Sequence, residues 1–258
     1  MSAEVAMKRN LGRIYALQAK TEFLKVWRLP MYAIPTLAFP LMFYLLFAVA
    51  TNRGTGQAAT YLLATYGAFG VMNAALFGFG VGIAVERGQG WMLFQRATPM
   101  PPLAHLFGKL VMATLFGALI VLILSAAAVT LAGVRMPVGT WLALAGTLVS
   151  GAIPFAAFGL AVGYWAGPNS APAVVNLISM PVSLASGLWF PLQMLPSVIR
   201  KVAPFLPPYH YGQLALGRLG LGEDVPALYS VAFLAAFTVL SLLLAWIGYR
   251  RDEGKTFG

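Results

Sequence analysis

The chain has 258 residues, 60% of them hydrophobic and only 9% charged, with a net charge of +10 and no cysteine. That composition excludes an ordinary soluble globular domain, and the absence of cysteine excludes disulfides and thiolate metal sites. The basic residues lie between apolar blocks instead of forming one patch, which argues for membrane topology and against a nucleic-acid partner.

Residues 9–29 read as a helix at the membrane surface. Leu11, Ile14 and Tyr15 share one face, with Arg9, Arg13 and Lys20 opposite. Further on, Phe23, Val26 and Trp27 oppose Glu22, Lys25 and Arg28. Basic amphipathic helices with Trp lie in the interface, their cations among anionic headgroups. A plain positive-inside anchor is a compatible reading. A cleaved signal peptide is excluded, because a long basic and aromatic segment precedes the first apolar stretch and that stretch is long enough to span.

Six apolar stretches follow, at 31–50, 61–85, 110–132, 141–166, 171–189 and 227–249. None holds an Asp, Glu, Lys or Arg in its interior. About 20 apolar residues in helix cross a bilayer core of about 30 Å. The expectation is therefore an all-α membrane protein with six transmembrane helices, forming a single transmembrane domain over 1–258. Most basic residues fall in the N-terminal segment, the 86–103 loop and the tail, all on one side of a six-span chain. By the positive-inside rule both termini are cytoplasmic. Without titratable groups at membrane depth, an ion-coupled transporter is disfavoured. Uphill movement would then draw its energy from another subunit.

Within the spans, Pro30 marks the turn into the first, and Pro35 and Pro40 predict a kink there. The second is glycine-rich. Gly159, Gly163 and Gly167, in and after the fourth, have the small-xxx-small spacing of closely approaching helices. In the fifth, Asn176, Ser179, Ser183 and Ser186 form one polar stripe. Such a stripe packs against a neighbouring helix by hydrogen bonds, or lines a translocation path or subunit interface. Asn73 in the second span has the same two readings. The outer loop, 190–225, holds a short amphipathic helix with Leu195, Val198, Ile199 and Val202 on one side, after Pro196 and before Pro204. A second helical piece is expected around 211–219, giving a short outer helical hairpin.

The loop 86–103 begins Glu86-Arg87-Gly88-Gln89-Gly90-Trp91. It continues through Met92, Leu93, Phe94, Gln95, Arg96, Ala97 and Thr98 to Pro99. A short helix fits between Gly90 and Ala97, and its apolar side chains need a partner surface or lie flat on the membrane. This loop resembles that of the type-2 ATP-binding-cassette permeases, with their Glu-Arg start, short coupling helix and small-Thr-Pro stop. Gly108-Lys109 sits where that family begins its third span. The segment from Ser186 through Trp189, Phe190 and Pro191 to Pro196 resembles the family's most recognisable stretch, at the end of span 5. The chain departs from the family at Gly88, at Trp91 and at Pro207-Pro208-Tyr209-His210-Tyr211.

The resemblance implies a permease subunit of an ATP-driven exporter in a bacterial inner membrane. Two membrane subunits, as homodimer or heterodimer, would pair with two cytoplasmic ATPase subunits. Glu86, Arg87, Trp91, Phe94, Gln95, Arg96, Thr98 and Pro99 would form the ATPase-coupling region, with Glu86 and Arg87 bracing the base of span 2 against the N-terminal helix. Asn73, Asn176, Ser179, Ser183, Ser186, Phe190 and Pro191 would border the substrate path. ATP and Mg are expected on the partner ATPase, with no cofactor bound by this chain. An apolar path with hydroxyls suits lipids, amphipathic drugs or lipid-linked glycans.

Enzyme signatures are absent. Gly254-Lys255-Thr256 resembles the end of a phosphate-binding loop, but the required earlier glycine falls at Tyr249. A membrane-embedded enzyme acting on lipid would need acids or histidines clustered at one depth, and only Glu86 with His105 comes close. A passive channel is the other alternative. His105 and His210, on opposite sides of the membrane, are expected as interfacial polar residues.

Overall fold

The computed structural model describes residues 3–49, 56–91 and 100–253, and these are helical without any strand. A leading helix α1 (Ala3–Trp27) runs into α2 (Pro30–Val49). Then come α3 (Gly56–Gly88), α4 (Pro102–Thr130) and α5 (Val138–Trp165), the last interrupted by a turn at Gly151. Helix α6 (Ala171–Ala185) is followed by two short helices, α7 (Ser197–Val202) and α8 (Pro207–Gly217). Helix α9 (Ala227–Glu253) ends the described chain.

Five of these helices, α2, α3, α4, α5 and α9, are long and apolar enough to cross a membrane. The fifth predicted stretch differs: its helix α6 has only 15 residues, about 22 Å at about 1.5 Å per residue. Beyond it, Ser186 and Gly187 cap the helix. Gly187 takes φ +77°, and the amides of Gly187 and Leu188 bond back to the Leu184 and Ser183 carbonyls at 3.1 Å each. This is the Schellman pattern, which needs a residue in the left-handed region. The chain continues as non-helical backbone through Leu188, which is buried, and Trp189, which is half-buried. Trp189 packs on Phe43 and Phe69 at ring separations of 5.3 and 5.4 Å, and Phe190 packs on Phe47 at 5.7 Å. These contacts hold the segment against the outer halves of α2 and α3.

Helix α2 opens at Pro30, runs through Pro35 and Pro40, and widens to a π-helical turn at Leu45–Val49. Helix α3 is the most buried span and packs against α2, α4, α5 and α8. It too has a π-helical stretch, Phe77–Val81, lying against α5. Here the glycine spacing finds its partner. A Cβ on Gly159 would stand 3.1 Å from the Leu76 carbonyl oxygen, and one on Gly163 would stand 2.8 Å from Ile83 Cβ. Gly167 lies past the helix end and makes no such approach.

Gly163→Ala should destabilise the bundle by about 1–3 kcal/mol, because the steric cost outweighs a helix-propensity gain of about 0.5–1 kcal/mol. Gly146 of α5 has no atom within 4 Å of its would-be Cβ, so Gly146→Ala should be neutral or stabilising. Thermal unfolding of the two purified variants in detergent measures the contrast.

Candidate functional site

Glu86 and Arg87 occupy the last turn of α3, not the loop after it, and as consecutive helical residues they reach different neighbours. Glu86 is only 4% exposed. Its carboxylate accepts from Lys25 of α1, from Lys109 of α4 at 2.8 Å and from His105 of α4 at 3.0 Å. Lys109, 2% exposed, also donates to Glu22 of α1 at 3.3 Å. Lys25 reaches inward from the surface, 4.0 Å from Glu22. The Gln18 amide lies 3.2 Å from His105 Nδ1, and the Glu22 carboxylate lies 3.6 Å from the same nitrogen. Two carboxylates thus face two ammoniums and an imidazole.

Two expectations are corrected by this cluster. Glu22 does not lie on the solvent side of α1 but is buried with Val26, four residues on. His105 is not interfacial but enclosed. The reason is the same in both cases: burying a charge is tolerated when it is paired and hydrogen-bonded, and here the partners come from three helices. Gly108 permits the approach, since a Cβ there would stand 3.1 Å from the Gln18 backbone. The sequence did hold a signal. Gln18, Glu22 and Lys25 share one face of α1 while His105 and Lys109 share one face of α4, at spacings of four, three and four.

By distance, Glu22, Glu86 and His105 could hold a metal ion, their ligand atoms lying within 4.8 Å of one another. The chemistry disfavours it. Both carboxylates already accept from ammonium groups, and a divalent ion would have to displace them against like-charge repulsion.

Arg87 turns the other way. It donates to the carbonyls of Gly163 and Ala166 at 3.1 Å each, and to that of Tyr164. These are carbonyls at the end of α5, where a cation also meets the negative end of the helix dipole. Beside it, Gly88 lies against Pro168 in the turn from α5 to α6. The last turn of α3 is therefore tied to α1 and α4 on one side and to α5 on the other. Trp91 follows after a turn at Gly90 and is 46% exposed. Phe94, Gln95, Arg96, Thr98 and Pro99 lie outside the described residues, as does Gly254-Lys255-Thr256.

The predicted path residues do not form one surface. Ser179, Ser183 and Ser186 are buried against the rest of the chain, whereas Asn176 is exposed. Ser183 donates to the Ser179 carbonyl within α6. The Oγ atoms of Ser179 and Ser186 are buried with no protein partner. Asn73 bonds back to the Phe69 carbonyl of its own helix at 2.9 Å. Phe190 is exposed and Pro191 half-buried at the outer end.

At that end the departure Tyr209-His210-Tyr211 has a physical role. Tyr209 donates to Glu223 at 2.7 Å, and burial together with that carboxylate pushes its phenol above the usual range. Tyr211 donates to the Leu148 carbonyl, and its ring lies over Gly151 where α5 breaks. His210, fully buried, donates from Nε2 to the Pro204 carbonyl at 2.9 Å and accepts at Nδ1 from Ser230 at 3.2 Å. It too is corrected from an interfacial to an enclosed residue. Burial pushes its pKa below the ordinary 6.5, against a smaller upward pull from the Pro204 carbonyl.

Two predictions come from these sites. Lys109→Met leaves Glu22 and Glu86 under-paired and should cost about 3–5 kcal/mol. The double change Glu22→Gln with Lys109→Met should recover part of it, as read by chemical unfolding. For His210 the neutral ring is favoured in the folded chain. Its stabilising contribution is complete above pH 6.5 and declines as pH falls below that value, because the unfolded chain binds the proton first. The thermal midpoint should drop between pH 7 and pH 5, and His210→Gln should flatten that drop.

Over residues 38–247 the chain matches the family described as "ABC-2 family transporter protein". It is 26% identical over 240 residues to the protein named "Putative transport permease YvfS" from Bacillus subtilis (strain 168), covering 92% of this chain and 97% of that one. The family match takes in the Glu86–Arg87 turn, Gly108-Lys109 and the outer Trp189–Pro191 segment, and the chain belongs to the ABC-2 family of membrane transport permeases.

Proposed function

We propose that this chain is the permease subunit of an ATP-driven exporter in a bacterial inner membrane, working with separate cytoplasmic ATPase subunits and a second permease subunit. The reading takes α6 and its continuation through Trp189 as a sixth crossing. An even number of crossings puts both ends on one side, and the basic N-terminal segment and tail make that side cytoplasmic.

The observation that carries the reading is the double attachment at the last turn of α3. Glu86 holds α1 and α4, and Arg87 holds the end of α5. A push on the loop that begins near Trp91 reaches four helices through two adjacent residues. That is what a coupling element requires, since motion passes through rigid elements joined by specific contacts. Phe94, Gln95, Arg96, Thr98 and Pro99 would form the docking surface for the ATPase, and ATP with Mg would bind there, on the partner. Export substrates would be lipids, amphipathic drugs or lipid-linked glycans.

The lipid-enzyme alternative gains one observation, the contact between Glu86 and His105. The geometry weighs against it. His105 is 4% exposed, with Gln18 at one ring nitrogen and Glu86 at the other, so neither nitrogen is offered to a substrate.

Phe94→Asp combined with Arg96→Glu should abolish co-purification of the ATPase. Arg87→Ala should leave co-purification intact while lowering ATP-dependent transport by about tenfold, the weight of one charge-assisted contact. Unchanged assembly and transport in the loop variant would refute the coupling role. Vigorous transport by the chain alone in vesicles would favour a channel.

A further inference from the structure

On the surface of the bundle, a groove of about 410 Å³ runs between the end of α5, the start of α6 and the last third of α9. Its walls are apolar: Phe158, Val162 and Trp165 of α5, Val174 and Ile178 of α6, and Leu244 of α9. From Phe158 to Ala166 it follows about 12 Å of helix, close to the half-thickness of a hydrocarbon core of about 30 Å. The groove is thus long enough for much of one leaflet, and it lies toward the end where α9 becomes basic.

That end is built for an anion. Trp165 donates to the Leu244 carbonyl at 2.9 Å, fixing the indole at the mouth of the groove. The guanidinium of Arg251 lies over that indole, 4.6 Å from the ring centroid. Arg250 lies over Trp246 at 4.0 Å. Leu244 and Arg251 are seven residues apart and so share one face of α9, while Arg250 lies about 100° round the helix beside it. Stacking engages the flat face of a guanidinium and leaves its N–H edge available, in the geometry that binds phosphate oxygens in pairs.

We propose that this groove is a binding site for one anionic phospholipid, with an acyl chain along Phe158, Val174 and Ile178, its phosphate against Arg251, and Arg250 beside it adding to the local positive charge. The apolar wall takes the chain, and the two stacked cations select the headgroup. Selection for charge distinguishes the site from the general lipid contact made by any membrane-facing helix. The site is separate from the α3 turn and does not depend on the coupling reading.

The test uses the full chain reconstituted with spin-labelled phosphatidylglycerol or phosphatidylcholine, measuring the motionally restricted lipid by electron paramagnetic resonance. Phosphatidylglycerol should be retained about tenfold more strongly, the weight of one or two basic side chains at a lipid surface. Arg250→Gln with Arg251→Gln should bring the two lipids level. Val174→Trp, which fills the groove, should remove the excess of restricted phosphatidylglycerol over phosphatidylcholine, while Leu177→Trp on the exposed side of α6 should leave it. If Val174→Trp fails to fold, the double arginine variant decides the matter alone. Equal retention of both lipids by the native chain overturns the proposal. So does a phosphatidylglycerol excess unchanged in a folded Val174→Trp; equal retention is also the result expected if a second copy covers the groove.

Discussion

A carboxylate enclosed at one end of an apolar bundle has to be neutralised, and Glu86 is neutralised by side chains from two other helices. Lys109 and His105 come from α4, and Lys25 comes from α1. Removing any one partner exposes the remaining charges to a low dielectric, where an uncompensated ion is costly. The three helices are consequently fixed in register by charge balance as well as by shape. Arg87, one residue on, extends the constraint to α5 by satisfying backbone carbonyls that would otherwise end the helix unpaired. That end of the bundle behaves as one body because of these two neighbouring side chains.

Elsewhere the bundle is held by different means, each suited to its depth. Midway, α3 and α5 approach until only glycine fits, at Gly159 and Gly163. In lipid there is little hydrophobic drive between helices, so close packing supplies the attraction. At the outer end, aromatic rings from α2 and α3 clamp the segment after α6, and Tyr209, His210 and Tyr211 each place a polar atom on a specific partner. Where the family pattern is broken at these three residues, the chain has used aromatic bulk with a hydrogen-bonding tip, a combination suited to a boundary between apolar and wet surroundings.

Hydropathy was enough to find α2, α3, α4, α5 and α9, because length and apolarity are additive along the chain and need no partner to be recognised. The glycine spacing announced close packing but not with what. The Glu86 cluster was only partly legible. Glu86 and His105 stand out as a pair, yet Glu22 reads as part of the polar face of an interfacial helix, because a charged residue on an amphipathic helix is outside by default. Only knowledge that α1 lies along α4 reverses that assignment, and Gly108, which permits the approach, carries no sign of it in isolation. The fifth apolar stretch was over-extended for a related reason. Hydropathy cannot see that Gly187 adopts a left-handed conformation and ends the helix, since Leu188, Trp189 and Phe190 remain as apolar as the helix before them.

The same turn changes how a substrate path would be read. Ser179, Ser183 and Ser186 share a helix face, but it is the face turned toward the chain's own interior. A stripe spent on packing cannot also line an open path in this conformation. The polar group that α6 presents outward is Asn176, alongside the exposed Leu177 and Met180. The outward surface of α6 thus sets one amide in an apolar wall. Such a wall favours molecules that carry long apolar portions and few polar groups. It offers little to a small hydrophilic solute, which would have to leave its water without finding partners in exchange.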